Sequence, residues 1–177
     1  MQWTIDSSHT SMEFAVKHMG VFTVKGRFNR VTGLIETDTQ EGLRRLEASI
    51  DAGTIHTADA QRDGHLRSPD FLDVERYPAI TFQSSTVERL TETTRYRVTG
   101  ALTIRDQSRP ATFEVELTPP MTDPWGNRRG GASAAGRINR KDWGLTWNQV
   151  LEMGALLVGD EVRFTIDVEA VAAPVAA

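Results

Sequence analysis

The residues best equipped for chemistry lie between Arg62 and Asp73, in the run RDGHLRSPDFLD. Asp63 and His65 are an acid and a base two positions apart. On a helix that spacing sets them about 200° apart around the axis, so they do not share a face as a proton-transfer dyad. Arg62, Asp63, His65 and Arg67 suit salt bridges and caps that fix a segment in place as a lid; alternatively Arg62 or His65 meets a polar head group at the mouth of a site. His18 shares a period-two phase with Met12, Phe14 and Val16. There it is either a hydrogen-bonded core side chain or a polar contact at a rim. His9, His18, His56 and His65 show no HExxH-type spacing, and no cysteine can join them, so the sequence offers no zinc site. The lack of cysteine also removes disulfides and thiolate chemistry. No GxSxG elbow, phosphate loop or GxGxxG motif is present. Trp143 and Trp147, at i and i+4, can share a face of a short helical turn and pack on the structure beneath it.

These side chains need elements to hold them, and those elements are mainly strands. The 177 residues suit one domain, 1–177, with a real core. The net charge of −4, without a basic run, does not favour nucleic acid. No stretch approaches the ~20 apolar residues of a membrane-spanning helix. The N-terminus enters an apparent strand at Trp3 with no basic and then apolar leader, which predicts a cytoplasmic protein.

Apolar and polar residues alternate at period two over most of the chain. The predicted inward phase starts with Met12, Phe14 and Val16, then Phe22, Val24 and Phe28. It continues through Ile50, Phe82, Val98, Leu102, Ile104 and Phe113, and ends with Ala134, Ile138, Phe164 and Ile166. Loops are predicted at Glu41–Arg45, Leu90–Thr94 and Thr118–Arg129, with an uninformative tail at Ala170–Ala177. About eight strands with turn signals between them predict an all-β, eight-stranded antiparallel barrel or a sandwich.

One segment, about 59–76, breaks the alternation. Asp59 is a helix N-cap before Ala60–Leu66, and Ser68-Pro69-Asp70 restarts a second short helix. Tyr77-Pro78 ends it. Several inward positions are small, among them Gly33, Gly100, Ala132, Ala134 and Gly136. The pattern alone leaves two readings open: a tapered, fully packed barrel, or a barrel holding one small ligand. The inward phase is nearly free of charge, so any ligand inside is apolar along most of its length.

The chain resembles the YceI-like proteins. The resemblance rests on Trp3-Thr4-Ile5-Asp6, on Phe14-Ala15-Val16-Lys17-His18 and on the whole Arg62–Asp73 run with Tyr77-Pro78-Ala79-Ile80. Later blocks are Gly100-Ala101-Leu102-Thr103-Ile104, Ile138-Asn139-Arg140-Lys141-Asp142-Trp143-Gly144 and Val158-Gly159-Asp160-Glu161-Val162. Leu72 stands where that signature more often has Phe. The resemblance implies a lipocalin-like eight-stranded barrel with a helical insertion. It also implies a long cavity for a polyisoprenoid lipid, such as an isoprenoid quinone or a prenyl diphosphate, without another cofactor. The sixteen inward residues named above would line that cavity, and His18, Arg62 and His65 would meet the head group. It further implies a homodimer in transient contact with membranes. Members are often exported, which the N-terminus of this sequence does not predict. The alternatives are an enzyme working on a prenyl head group and a filled barrel acting in interactions or stress.

Overall fold

The computed structural model describes residues 1–91 and 94–173. The first strands are β1 (Gln2–Ile5), β2 (Ser11–His18), β3 (Phe22–Phe28), β4 (Val31–Thr37), β5 (Leu43–Asp51) and β6 (Ile55–His56). The helix α1 (Ala60–Arg67) follows. Then come β7 (Ala79–Arg89), β8 (Arg95–Ile104), β9 (Gln107–Thr122), β10 (Arg128–Asn139) and β11 (Val158–Ala172). All pairings are antiparallel, and β11 returns to pair with both β1 and β2.

Three staves of the barrel are each built from two strands. β1 and β2 are split by a 3-10 turn at Ser7–His9, β5 and β6 by another at Ala52–Thr54, and β3 and β4 by Asn29-Arg30. β2 pairs with β3 and β1 with β4, while β6 lies on β3 and β5 on β4, so each broken stave stays in register with its neighbour. Counted as staves, the described residues form a closed eight-stranded antiparallel barrel, the architecture expected from the alternation.

Closure requires staves that bend, and glycines permit the close approach. A Cβ on Gly33 would lie 2.0 Å from the Glu47 carbonyl oxygen, and one on Gly100 would lie 2.2 Å from that of Gln83. No side chain fits there. The barrel has two unlike ends. One carries the hairpin at 19–21, the insertion at 57–78 and the long connection at 140–157. The other carries the turns at 38–42 and 123–127 and is narrowed by Trp3, Leu43, Tyr96 and Ala170, all buried.

Several local expectations are corrected. The run after Ser68 is a chain of turns instead of a second helix. The amides of Phe71 and Asp73 both donate to the Ser68 carbonyl, and Asp73 adopts φ 48°. Phe71 and Leu72 are nonetheless buried, because the turns fold them onto the barrel. The predicted loop at Thr118–Arg129 is mostly strand: β9 runs on through Pro119-Pro120 to Thr122, and its pairing with β10 shifts register between Arg129 and Gly131. The strand after the predicted loop at Glu41–Arg45 starts earlier, at Leu43. Glu92 and Thr93 of the turn predicted at Leu90–Thr94, and residues 174–177 of the predicted tail, lie outside the described residues.

Candidate functional site

The barrel interior holds one large cavity, of about 410 Å³, running from mid-barrel to the lid end. Its wall at mid-height is a belt of phenylalanines. Phe82 and Phe113 have ring centroids 5.3 Å apart, Phe113 and Phe164 stand edge to face at 5.0 Å, and Phe14 and Phe28 lie at 5.6 Å. Such spacings are the preferred ones for aromatic pairs. Phe14 and Phe164 are cross-strand partners, which joins the two groups. Two glycines seat these rings. A Cβ at Gly26 would lie 2.3 Å from Phe14, and one at Gly136 would lie 2.7 Å from Phe164 and 2.8 Å from Phe113. Gly136 therefore makes room for aromatic rings. Ala134, its neighbour in phase, faces the free volume.

Of the sixteen predicted wall residues, fourteen line this cavity: Met12, Phe14, Val16, Val24, Phe28, Ile50, Phe82, Leu102, Ile104, Phe113, Ala134, Ile138, Phe164 and Ile166. Phe22 does not. It starts β3 opposite His18, at the rim, and is 64% exposed because the lumen ends before it. Val98 points inward and is fully buried, but it packs where the interior is filled and has no free volume beside it. The alternation reports which face a residue takes; it carries no information on where along the axis the lumen is empty.

The mouth is assembled from three segments. The end of β2 contributes Lys17 and His18; α1 contributes Arg62, His65 and Leu66; the 140–157 connection contributes Leu145, Trp147 and Leu157. His18, Arg62 and His65, far apart in sequence, are thus brought to one opening. The His18 ring has no hydrogen-bond partner among the described residues, which fits the rim reading. Arg62 donates from Nε to Thr57 Oγ1 at 2.8 Å and from Nη2 to the Thr57 carbonyl at 2.8 Å. Its remaining nitrogen has, among the described residues, only the Asp59 carboxylate, at 3.9 Å. His65 Nε2 sits 2.8 Å from Asp70 Oδ2, and its ring meets Trp147 and Phe71 edge to face at 4.6 and 5.0 Å. That trio latches the insertion to the 140–157 connection.

Asp63 is no acid–base partner of His65; it is buried on the other side of α1. It accepts from the Thr57 amide at 2.8 Å and from Thr57 Oγ1 at 2.5 Å, and His56 Nδ1 lies 3.3 Å away. Burial alone would raise its pKa. The hydrogen bonds from Thr57, aided by the charges of His56 and Arg67, outweigh that and hold the carboxyl below its ordinary value. Arg67 donates to the carbonyls of Gly53 and Ile55 at 2.9 and 2.8 Å, so α1 is pinned to the barrel at both ends.

The second half of the lid hangs on Arg140. Its side chain is 3% exposed and donates to the carbonyls of Leu145 at 2.6 Å, Trp147 at 2.9 Å and Gly159 at 2.9 Å. Desolvation pushes its pKa down, against the pull of Asp160. Trp143 packs beneath and donates from Nε1 to the Leu102 carbonyl at 2.9 Å. The two tryptophans therefore part company: Trp143 is structural, and Trp147 lines the mouth. The left-handed Gly144, φ 74°, which follows a 3-10 turn at Arg140–Trp143, separates them.

Sequence reasoning missed Leu66, Phe71, Leu145, Trp147 and Leu157 as lining, because Leu66 stands on a short polar helix and the others on connections with no periodic pattern. Among the described residues, one group of side chains that could hold a metal ion lies outside the cavity. Asp6, His9 and Glu169 come together near the far end, where Arg129 already bonds to Asp6 at 3.1 Å, to Asp123 at 2.8 Å and to Glu169. That guanidinium fills the place a cation would take.

Comparison with known proteins bears on these observations. The family model of the YceI-like domain matches residues 3–170. A Staphylococcus aureus relative, UPF0312 protein SA2479, is 34% identical over 169 residues, covering 94% of this chain and 95% of the relative. A crystal structure of a Campylobacter jejuni YCEI protein is 26% identical with a TM-score of 0.74, over 89% of this chain and 90% of that one. Two further structures share the fold. They are Burkholderia cenocepacia BcnA, at TM-score 0.79 and 19% identity over 93% of this chain and 98% of that one, and a polyisoprenoid-binding domain from Saccharophagus degradans, at 0.70 and 15% over 97% and 98%. Among the described residues no helix is long and apolar enough to cross a membrane.

Proposed function

The chain belongs to the YceI-like domain family, and from that premise we propose that it is a non-enzymatic carrier or store of a long apolar lipid of the polyisoprenoid class. The observation that carries this reading is the cavity: an apolar lumen, continuous from the phenylalanine belt to the lid, whose polar lining gathers at the mouth. The lipid chain would run down the lumen along Ala134. Its head group would stay at the opening beside His18, Arg62 and His65, where a quinone ring or a diphosphate finds hydrogen-bond donors.

Affinity must be counted against a membrane. At ~0.8 kcal/mol per buried carbon, a chain of about forty carbons would gain ~30 kcal/mol relative to water. That exceeds the ~18–21 kcal/mol at which non-covalent binding saturates. A lipid of this kind leaves a bilayer, another apolar medium, so the net preference is small. Selectivity then comes from chain length, branching and head group. Transfer calls for transient membrane contact, and the mouth carries a surface suited to it. Met19, Val21, Phe22, Val150 and Leu156 are all exposed there, 41–74%. They form one ledge, since the Met19 amide bonds the Leu157 carbonyl and Val150 bridges to Leu156.

The test is mass spectrometry of an organic extract of protein purified without added ligand, compared with Ala134→Phe. Overpacking costs about 1–3 kcal/mol where a site is already filled and less where a void accepts the ring. The variant is expected to fold and to retain much less isoprenoid. A folded variant with unchanged lipid content would refute the proposed path.

A further inference from the structure

Behind the main cavity lies a second chamber of about 160 Å³, at the far end of the barrel, whose outer rim carries Gln40, Glu41, Arg89 and Thr94. Trp3, Tyr96, Leu117 and Ala170 wall it, with the β10 glycines Gly130 and Gly131 on one side. The two chambers are successive storeys of one lumen. On β9, Val115 faces the front chamber and Leu117 the rear. On β10, Ala132 faces the front and Gly130 the rear. On β11, Val168 faces the front and Ala170 the rear. One residue faces both: Ile35, 4% exposed. It lies in register between Leu46, which lines the front chamber, and Trp3, which lines the rear.

The geometry points to Ile35 as the partition that ends the ligand tunnel and so sets the longest chain the protein accepts, the rear chamber being the space a longer apolar chain would enter. This rests on the lipid-carrier reading above. The other walls at this level are poor candidates for such control. The Trp3 indole is fixed by a hydrogen bond from Nε1 to Thr37 Oγ1 at 3.0 Å. Ala132 and Ala170 have little side chain to remove. An aliphatic side chain of two branches, held between two voids, is the part whose size decides whether those voids join. The ligand class is an unbranched or methyl-branched hydrocarbon chain, since the lumen in front of Ile35 is almost wholly apolar and the inner wall behind it is Trp3, Tyr96, Leu117 and Ala170.

The test compares the full chain with Ile35→Ala, Ile35→Val and Ile35→Phe. Each protein is incubated with vesicles holding an equimolar, graded series of all-trans polyprenols, re-isolated, checked for β-sheet circular dichroism, and extracted for mass spectrometry. The unaltered protein is expected to retain a distribution with a sharp upper limit. Ile35→Ala shifts that limit to longer chains, with a severalfold enrichment of the longest member. Ile35→Val moves it the same way by less, and Ile35→Phe moves it toward shorter chains. If Ile35→Ala does not fold, the opposed shifts of Ile35→Val and Ile35→Phe decide. Retention of polyprenols by all folded proteins with one common length distribution would overturn the partition and leave the carrier reading intact. Retention of none by the unaltered protein would refute the carrier reading, and the partition with it.

Discussion

Arg140 supports a prediction that can be worked through. Its guanidinium is buried and serves three carbonyls at 2.6–2.9 Å, two of them in the 140–157 connection and one at the start of β11. Arg140→Met keeps much of the aliphatic stem and removes every donor. Leu145 is buried, so its carbonyl loses a partner that water does not readily replace. An unsatisfied buried acceptor costs about 1–3 kcal/mol, and the part-buried carbonyls of Trp147 and Gly159 fall at or below the low end of that, which gives roughly 2–5 kcal/mol for the three. Relief of the desolvation cost of the buried cation returns part of that. The net expectation is a loss of about 2–3 kcal/mol, a large share of the ~5–15 kcal/mol that holds such a domain together. Hydrogen exchange should show the amides between 144 and 159 opening first, and lipid should leave faster than from the unaltered protein. Arg140→Lys, which keeps the charge but not the fork, should recover only part of the loss. A stability change under ~1 kcal/mol, with unchanged exchange in the connection, would show that Arg140 does not hold the lid.

Two further outcomes are expected. Val21→Ser with Phe22→Ser should slow lipid transfer between protein and vesicles severalfold while changing stability by no more than ~0.5 kcal/mol, because both side chains are exposed; equal transfer rates would rule out the ledge as the docking surface. Asp63 should make the insertion acid-sensitive. Its folded pKa lies below the ordinary 3.8, so its ionised form stabilises the fold fully above that value, and the contribution fades as pH falls through the depressed one. Denaturation of Asp63→Asn against the unaltered protein should show a difference of about 2 kcal/mol at neutral pH that shrinks in acid; a difference independent of pH would exclude the carboxylate as its source.

The barrel was legible because period-two alternation needs only a strand with one buried face, and fourteen of the sixteen wall residues followed from it. Phe22 and Val98 mark its limit, since phase does not say where a stave leaves the lumen or where the lumen is full. The small inward residues were legible as a set and ambiguous singly: Gly136 proved to be a seat for Phe164, and Ala134 part of the open wall. The cap of α1 was readable from Asp59, which does accept from the Arg62 amide. The turns after Ser68 were not. Their Ser-Pro-Asp start suits a helix, and what overrides it is the docking of Phe71 and Leu72 on the barrel, a tertiary contact.

The meander has a kinetic corollary at its seam. Every stave but one finds its partner next to it in the chain, so most ladders can zip from local turns. The seam where β11 meets the first stave is different: Trp3 of β1 pairs with Ala172 and Met12 of β2 with Ile166, across nearly the full length of the polypeptide. The entropy of closing so long a loop falls on the residue pairs of that seam. They should therefore be the last ladder to form during folding and the first to part during unfolding, leaving for a time an open, curled sheet in place of a tube.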